Sequence, residues 1–287
     1  MSKTAVISTS TSSLDYIDVK YDNLRILRMK IILNDESFND FVEINAGDFY
    51  KRLKEDKSLV PSSSMPSIGE LLELLEELEK EKYEEIILTT ISSELSGTYN
   101  VCLMAKNQYE GKLKIHVVDT RNAAITEGFL ALEALRLIEQ KMPNEEIVAY
   151  LETLRLKRKQ YFMVDNLRLF VANGRLSGAS GFIGSMFKIK PILEVNDEGK
   201  IVSLEKIRTQ KKSLARMADI ILGDLEGVRE FIMTYISSEN LEGLLYIKSR
   251  IEEIYPNHKY IEAPITPVIG CHTGVGTVGV AFFDLSK

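Results

Sequence analysis

The chain has few of the residues that mark metal-binding and redox proteins. It has two cysteines, Cys102 and Cys271, and neither belongs to a CxxC pair, so no zinc or redox motif is visible. The three histidines, at positions 116, 258 and 272, are too few and too far apart for a recognisable metal site. We therefore expect no metal, and we expect both thiols to be reduced and partly buried.

Long apolar runs and an excess of positive charge are also absent. No stretch approaches the ~18 consecutive apolar residues that a membrane-spanning helix needs, and the apolar run near the N-terminus is too short for a signal-peptide core. The formal net charge of -6 argues against a broad nucleic-acid surface, because binding phosphates requires a positive excess. We expect a cytoplasmic protein with no nucleic-acid partner.

Several motifs of nucleotide-binding and catalytic sites are missing as well. No GxxxxGK[ST] sequence occurs, which argues against a Walker-type nucleotide site, and no GxSxG elbow occurs. Residues 274–279, GVGTVG, match GxGxxG. They precede a predicted terminal strand rather than open a helix, which argues against a dinucleotide site.

The order of the predicted elements indicates an α/β protein. Short apolar runs such as 4–8 and 84–91 alternate with predicted helices in the first half of the chain, which favours a parallel sheet covered on both faces. A hairpin is predicted around the turn 196–199, so the second sheet is expected to be mixed. We predict a parallel three-layer α/β/α domain over residues 1–160 and a smaller mixed-sheet α/β domain over residues 161–287.

Three local expectations depend on the same patterns. LRILRMKIIL at 24–33 predicts one continuous strand. Residues 67–82 predict a helix, because Ser67 can cap it, Glu70 follows three residues later, and several leucines fall on one face. Residues 270–276, GCHTGVG, predict a glycine-rich loop whose backbone can approach a ligand closely.

Three clusters of hydroxyl residues, at 8–13, 62–64 and 92–98, are candidates for a binding site. At least the first and third follow the carboxyl end of a predicted strand, the edge at which open parallel sheets bind ligands. A hydroxyl donates a hydrogen bond without adding charge, and nearby helix N-termini favour anions. Each cluster alone is typical of helix caps and turns, but three on one edge favour an anion or carboxyl site.

Two arginines and one histidine are candidates for a cationic rim around that site. Arg175 follows a glycine, Arg208 ends a predicted strand, and His272 can donate to an anion or shuttle a proton. Near the hydroxyls, these three side chains would neutralise a phosphate. The alternative is that the arginines only pair with acids such as Asp165 and Glu205, and that His272 only braces its loop.

Taken together in their order and spacing, the motifs resemble those of the DegV family, which includes the fatty-acid-binding subunits of bacterial fatty acid kinase. The likeness runs from the first strand to residue 284. It is carried by STST at 8–11 for a TDST-like motif, SSMP at 63–66 for a TSQP-like loop, SSELSGTY at 92–99, NGR at 173–175 for a GGR-like turn, KIKPI at 188–192, RTQ at 208–210 and HTGVGTVG at 272–279.

The resemblance implies two α/β domains with an acyl chain buried between or within them. It implies that Ser63 and Ser96 bind the carboxyl group of a long-chain fatty acid such as palmitate, with no other cofactor. Arg175, Arg208 and His272 would lie near that carboxyl group and support its phosphorylation. The protein itself would be non-catalytic, because a separate ATP-dependent kinase would phosphorylate the carboxylate for phospholipid synthesis, with only transient contact with a membrane.

The sequence departs from the family pattern at three positions. Thr9 stands where the family has an acid, so any role of that carboxylate is lost or moved. Ser63 replaces a threonine and keeps the hydroxyl, and Met65 replaces a glutamine. Carboxyl binding tolerates these changes better than an exact kinase partnership does. The alternatives are a phosphotransfer or acyl-transfer enzyme that uses His272 as acid/base or acceptor, and a regulatory lipid sensor without a kinase.

Overall fold

The fold is that of a computed structural model, which describes residues 2–178 and 188–286. These residues form strands and α-helices whose bounds are as follows. The strands are β1 Thr4–Thr9, β2 Leu24–Leu27, β3 Lys30–Leu33, β4 Glu36–Asn39, β5 Ser62–Ser64, β6 Glu85–Thr90, β7 Lys114–Asp119, β8 Arg158–Met163, β9 Ile192–Val195, β10 Ile201–Glu205, β11 Phe231–Ser237, β12 Lys259–Pro264 and β13 Val278–Asp284. The α-helices are α1 Ala46–Glu55, α2 Ile68–Lys80, α3 Thr98–Gln108, α4 Ile125–Glu139, α5 Asn144–Leu154, α6 Arg168–Asn173, α7 Gln210–Leu225, α8 Leu241–Glu252 and α9 Pro267–Thr273.

The first sheet is parallel and has the strand order β2-β1-β6-β7. Its central strands β1 and β6 are buried on both faces, and their alternate residues point to opposite sides of the sheet. Ile7 and Leu88 pack with α2 and α3, whereas Val6 and Ile87 pack with α4 and α5. The predicted three layers are therefore present in this part of the chain. The capping box between Ser67 and Glu70 starts α2, as the sequence predicts.

The second sheet is mixed and has the strand order β10-β9-β8-β13-β11-β12. The predicted hairpin is β9 and β10, which pair antiparallel, and β11 and β12 pair parallel. The α/β class with one parallel and one mixed sheet is thus confirmed. The mixed sheet begins with β8 at Arg158. A domain division at residue 160 stays a prediction.

The expectation of one strand over 24–33 is wrong. β2 pairs with β1 in the parallel sheet, whereas β3 belongs to a small antiparallel sheet of order β4-β3-β5. The chain turns away at Arg28 and Met29. The Arg28 guanidinium forms an ion pair with Asp15 at 2.6 Å, and the Met29 amide donates to Ser10 Oγ at 3.1 Å. These polar contacts lie between the two apolar segments, at the point where the chain passes from one sheet to the other.

The expectation of a loop over 270–276 is wrong in its first half, because these residues end helix α9. Thr266 caps that helix and Pro267 occupies its first turn, where a missing N–H costs nothing. Helix α7 also lies in a stretch for which the sequence patterns gave no element. Among the described residues, no helix is both long enough and apolar enough to cross a membrane.

Candidate functional site

An apolar pocket lies where the three sheets meet, and it encloses about 790 Å³ of empty space when its open mouth is included. The parallel sheet contributes the segments that follow β1, β6 and β7, the small sheet contributes β5, and the mixed sheet contributes β8 to β11. The wall is mostly aliphatic and aromatic. Its polar members are Thr11, Ser63, Ser96, Gln160, Arg175, His272, Thr273 and Thr277.

Ser63 and His272 meet at one end of this pocket, although they are 209 residues apart in sequence. The Ser63 hydroxyl lies 2.9 Å from His272 Nε2. Ser63 is in β5, whose register opposite Ile31 fixes its direction, and His272 is in the last turn of α9. The Asn173 amide joins these elements, since it donates to the carbonyl oxygens of Pro61 at 3.2 Å and Cys271 at 3.0 Å. The pair is therefore held by backbone on both sides.

His272 is neutral at physiological pH. Burial, together with the smaller effect of the nearby positive charge of Arg175, lowers its pKa to about 4. Its Nδ1 atom is buried and has no hydrogen-bond partner among the described residues. The imidazole therefore contributes a hydrogen bond at Nε2 rather than a positive charge, and it is not oriented by a carboxylate.

Ser96 lies just before helix α3, on the wall of the same pocket. Its hydroxyl is 2.8 Å from that of Thr98 and accepts from the Thr98 amide at 3.3 Å. Gly97 caps the helix without a side chain, so the first-turn amides after Thr98 keep free donors and a favourable field for an anion. A Cβ on Gly97 would lie 2.6 Å from Met65 Sδ, so Met65 packs directly over the glycine.

The two predicted arginines differ in position. Arg175 is exposed at the wall of the pocket, after Gly174 ends α6 in the left-handed conformation, and its Nη1 donates to the Asn173 carbonyl at 2.5 Å. Arg208 is also exposed, but it is not among the described residues that line the pocket. Sequence order alone therefore grouped Arg208 with a site that its side chain does not line.

Neither arginine takes the acidic partner that the alternative interpretation assigns to it. Asp165 forms its ion pair with Lys190, and Glu205 pairs with Arg216 at 2.8 Å. The alternative interpretation, in which the arginines pair with acids such as Asp165 and Glu205, is therefore not supported for these two acids. Arg175 is therefore a charged side chain at the mouth of the pocket, next to Ser63 and His272.

A buried carboxyl group beside the pocket was not anticipated from the sequence. Glu127, in α4, is 0% exposed and accepts hydrogen bonds from Thr9 Oγ1 at 2.5 Å and Thr11 Oγ1 at 2.6 Å. Burial raises its pKa to about 8, although both threonine hydroxyls lower it. The available signal was one acid inside the apolar run that begins at Ile125. Thr11 thus lines the pocket with its hydroxyl already committed to Glu127.

Comparison with known proteins agrees with the fold described above. The family model for DegV, described as uncharacterised proteins of the DegV family, matches residues 3–285. The chain belongs to the DegV family. A DegV domain-containing protein of Clostridium acetobutylicum is 32% identical over 285 residues, which are 99% of each chain.

Solved DegV structures share the whole architecture. DegV of Bacillus subtilis, described as a fatty acid binding protein, matches with a TM-score of 0.87 and 30% identity over 99% of this chain and 100% of that chain. A fatty acid binding DegV family protein from Streptococcus agalactiae matches with a TM-score of 0.89 and 27% identity over 100% of both chains. The parallel and mixed sheets that form the pocket are therefore common to these DegV proteins.

A second buried carboxyl group lies near the start of helix α9 in this DegV chain. Asp40 is 1% exposed, and burial raises its pKa to about 7. This pKa already includes a raising effect of the Asp15 carboxylate and lowering effects of the Ser10 hydroxyl, the Arg28 guanidinium and the Val268 amide. Asp40 therefore titrates in a range similar to that of Glu127 but in a different part of the structure.

One cluster of ligand-type side chains lies away from the pocket. Atoms of Glu85, His116 and Glu145 are within 4.8 Å of one another, and His116 Nε2 is 3.1 Å from Glu85 Oε2. The Lys114 ammonium pairs with Glu145 and lies 3.7 Å from Glu85. Because a lysine already neutralises these acids, we interpret the cluster as ion pairs. Both cysteines are free and buried.

Proposed function

We propose that this chain binds a long-chain fatty acid in the apolar pocket and presents its carboxyl group to a separate ATP-dependent kinase in the cytoplasm. The observation that carries the proposal is the composition of the two parts of the pocket. An apolar wall suits an acyl tail, and Ser63, Ser96 and the start of α3 offer neutral hydrogen bonds to a carboxyl group. DegV relatives at 30% and 27% identity are described as fatty acid binding proteins.

The energetics of fatty-acid binding fit this division of the pocket into an apolar wall and a few polar groups. A C16 tail gains ~0.8 kcal/mol for each buried methylene, so on the order of 12 kcal/mol is available before the costs of binding. The carboxyl group needs partners more than added affinity, because a buried carboxylate without hydrogen bonds is costly. Ser63 and Ser96 can donate these hydrogen bonds.

The side chains at the mouth of the pocket support the role of a kinase partner. His272 adds no positive charge, so Arg175 is the charged side chain next to the proposed carboxyl site. An exposed guanidinium is suited to the negative charge that grows during phosphoryl transfer. Arg208, exposed and away from the pocket wall, is suited to docking an acidic surface of the kinase or transient contact with a membrane.

Native mass spectrometry of the purified chain, followed by lipid extraction, tests the binding proposal. We expect added mass that matches an acid of about C14 to C18, the range in which tail burial gives useful affinity. Protein that carries no acid and fails to bind one on titration would contradict the proposal. The chain incubated alone with ATP and fatty acid is expected to give no acyl phosphate, and addition of the cognate kinase is expected to start its formation.

A second candidate, an acyl-transfer enzyme, is favoured by one observation. Ser63 and His272 lie within hydrogen-bond reach, as a nucleophile and its base do. Two features weaken this candidate. A pKa of about 4 makes His272 a poor base near pH 7, and Nδ1 has no carboxylate to orient it. Hydrolysis of an activated acyl ester by the chain alone, lost in Ser63→Ala, would support it over the binding role.

A further inference from the structure

Three polar atoms of pocket-lining residues are buried without a hydrogen-bond partner among the described residues: His272 Nδ1, Thr273 Oγ1 and Gln160 Oε1. The first two belong to the last turn of α9, whereas Gln160 lies in β8. Gln160, in β8, lines the pocket and is 4% exposed. Its Nε2 donates to the carbonyl oxygen of Ala123 at 3.2 Å. Its Oε1 is buried and unpaired among the described residues. Because a buried carbonyl oxygen without a partner is costly, this atom indicates a missing donor.

The orientation of the Gln160 amide is determined by its surroundings. If the amide were flipped, Oε1 would face the Ala123 carbonyl oxygen, and two acceptors would meet. The oxygen must therefore point away from Ala123. An amide oxygen accepts and never donates, so it can be satisfied by a hydroxyl or a water, but not by a keto group or an ether.

The position of Gln160 along the pocket follows from the strand register. Gln160 lies opposite Ala281, and Met163 lies opposite Val278, directly after the pocket residue Thr277. Gln160 is thus about four residues along the strand from the end of the pocket near His272, or ~13 Å at about 3.3 Å per residue. An extended acyl chain with carbon–carbon bonds of ~1.5 Å covers that distance in roughly ten bonds.

We propose that the pocket accepts a long-chain fatty acid with a hydroxyl group near the middle of its chain, and that Gln160 Oε1 accepts the hydrogen bond from that hydroxyl. The inference rests on the proposed fatty-acid function and names its substrate class. A plain hydrocarbon tail leaves Oε1 unpaired or traps a water beside it. A mid-chain hydroxyl satisfies the oxygen and keeps the rest of the tail in the apolar wall.

The test compares stearic acid with hydroxystearic acids whose hydroxyl lies between the ninth and twelfth carbons, and with the matching oxostearic acids. Competition binding to the full chain is expected to favour at least one hydroxy acid over stearic acid by about tenfold, a typical effect of one buried hydrogen bond. The oxo acid is expected to bind no better than stearic acid, because it cannot donate. This comparison requires no variant.

Two variants test the assignment to Gln160. Gln160→Leu is expected to remove the preference for the hydroxy acid while stearic acid still binds. Phe162→Leu, on the same face of β8, changes the pocket but keeps the amide, so the preference is expected to remain. Gln160→Met is the substitute if the leucine variant does not fold.

Each outcome has a defined meaning. Equal affinity for stearic and hydroxystearic acids would indicate a water beside Oε1 and would overturn the inference while leaving the proposed function intact. A preference that survives in the folded Gln160 variants would overturn the role of Gln160. If no fatty acid of either kind binds, the proposed function fails, and the inference fails with it.

Discussion

The Thr9 hydroxyl donates a hydrogen bond to the Glu127 carboxyl group at 2.5 Å, and this contact joins the end of β1 to helix α4 across 118 residues. Thr9 stands where the TDST-like motif of the family has an acid. In this chain a carboxyl group is still present beside that position, but α4 supplies it. The group is fully buried, which sets its protonation state and gives the first prediction.

Glu127→Gln is expected to make stability less dependent on pH. Burial raises the folded-state pKa of Glu127 to about 8, above its unfolded value. The folded state then holds a proton that the unfolded state releases, so this contribution is fully present below the unfolded pKa and is lost as pH rises toward 8. Between pH 5.5 and 7.5 the wild type is expected to lose about 2 kcal/mol that the variant keeps. Urea denaturation at both pH values measures the difference.

Asp40 provides the internal control for that experiment. Its pKa is also raised, to about 7, so it adds a pH dependence of the same sign. Asp40 is present in both the wild type and Glu127→Gln, and therefore its effect cancels in the difference between them. If the two proteins lost stability in parallel as pH rose, Glu127 would not carry the buried proton.

The proposed carboxyl ligands give the second prediction. Ser63→Ala and Ser96→Ala each remove one donor to a charged group, worth roughly 1.5–3 kcal/mol, so fatty-acid affinity is expected to fall about tenfold to a hundredfold. Ser64→Ala is the matched control, because Ser64 lies in the same strand but does not line the pocket. Isothermal titration with delipidated protein measures all three. Unchanged affinity in both Ser63→Ala and Ser96→Ala would move the carboxyl group elsewhere.

The third prediction separates phosphorylation from binding. Arg175→Ala, Arg208→Ala and His272→Ala are expected to leave fatty-acid occupancy nearly unchanged while acyl-phosphate formation with the kinase falls steeply. Arg175 is expected to matter most for turnover at saturating kinase, because it lines the mouth. Arg208 is expected to change mainly the kinase concentration needed and its salt dependence, as docking charges do.

Arg216→Ala is the control for these cationic variants. Arg216 is exposed and pairs with Glu205 outside the pocket, so its loss is expected to leave turnover unchanged. Melting temperature and lipid occupancy are measured on the same preparations. Variants that lose stability but keep turnover per folded molecule would indicate that the arginines and His272 have only structural roles.

The sequence predicted the elements whose signal is local. The apolar runs of β1 and β6 and the capped, leucine-rich helix α2 carry their own periodicity, so the parallel layers followed from them. Strand β5 consists of three serines and has no apolar pattern. It is a strand because it pairs with β3, a contact between distant segments that no local pattern encodes.

Local sequence patterns were limited in the same way in predicting the candidate functional site. The hydroxyl clusters were recognisable because each is contiguous in sequence, and Thr11, Ser63 and Ser96 do line one pocket. The unpaired oxygen of Gln160 and the neutral state of His272 depend on burial by segments far away in the chain, so residue types alone did not indicate them. Arg208 was grouped with the pocket by motif order, which does not determine where a side chain lies.

The fourth prediction concerns Gly270, two residues before His272 in α9. A Cβ at this position would lie 2.6 Å from Tyr50 Oη and 2.7 Å from the Phe49 ring. Both aromatic side chains are fully buried, and Tyr50 donates to the Ile265 carbonyl at 3.0 Å, so neither can move freely. Gly270→Ala is therefore expected to shift α9 and to lower the free energy of unfolding by about 1–3 kcal/mol, as overpacking does.

The shift of α9 carries a functional consequence, because the helix holds His272 at 2.9 Å from Ser63. Fatty-acid affinity is expected to fall in Gly270→Ala, because α9 contacts β5 through Cys271 and Ser62, and its shift displaces Ser63 without removing any proposed ligand. Gly223→Ala in α7 is the control. A Cβ at Gly223 would meet no atom of the described residues within 4 Å, so alanine there is expected to stabilise the protein by about 0.5–1 kcal/mol without changing affinity. Equal stability and affinity in both alanine variants would mean that α9 has room to adjust, and that its packing does not position Ser63.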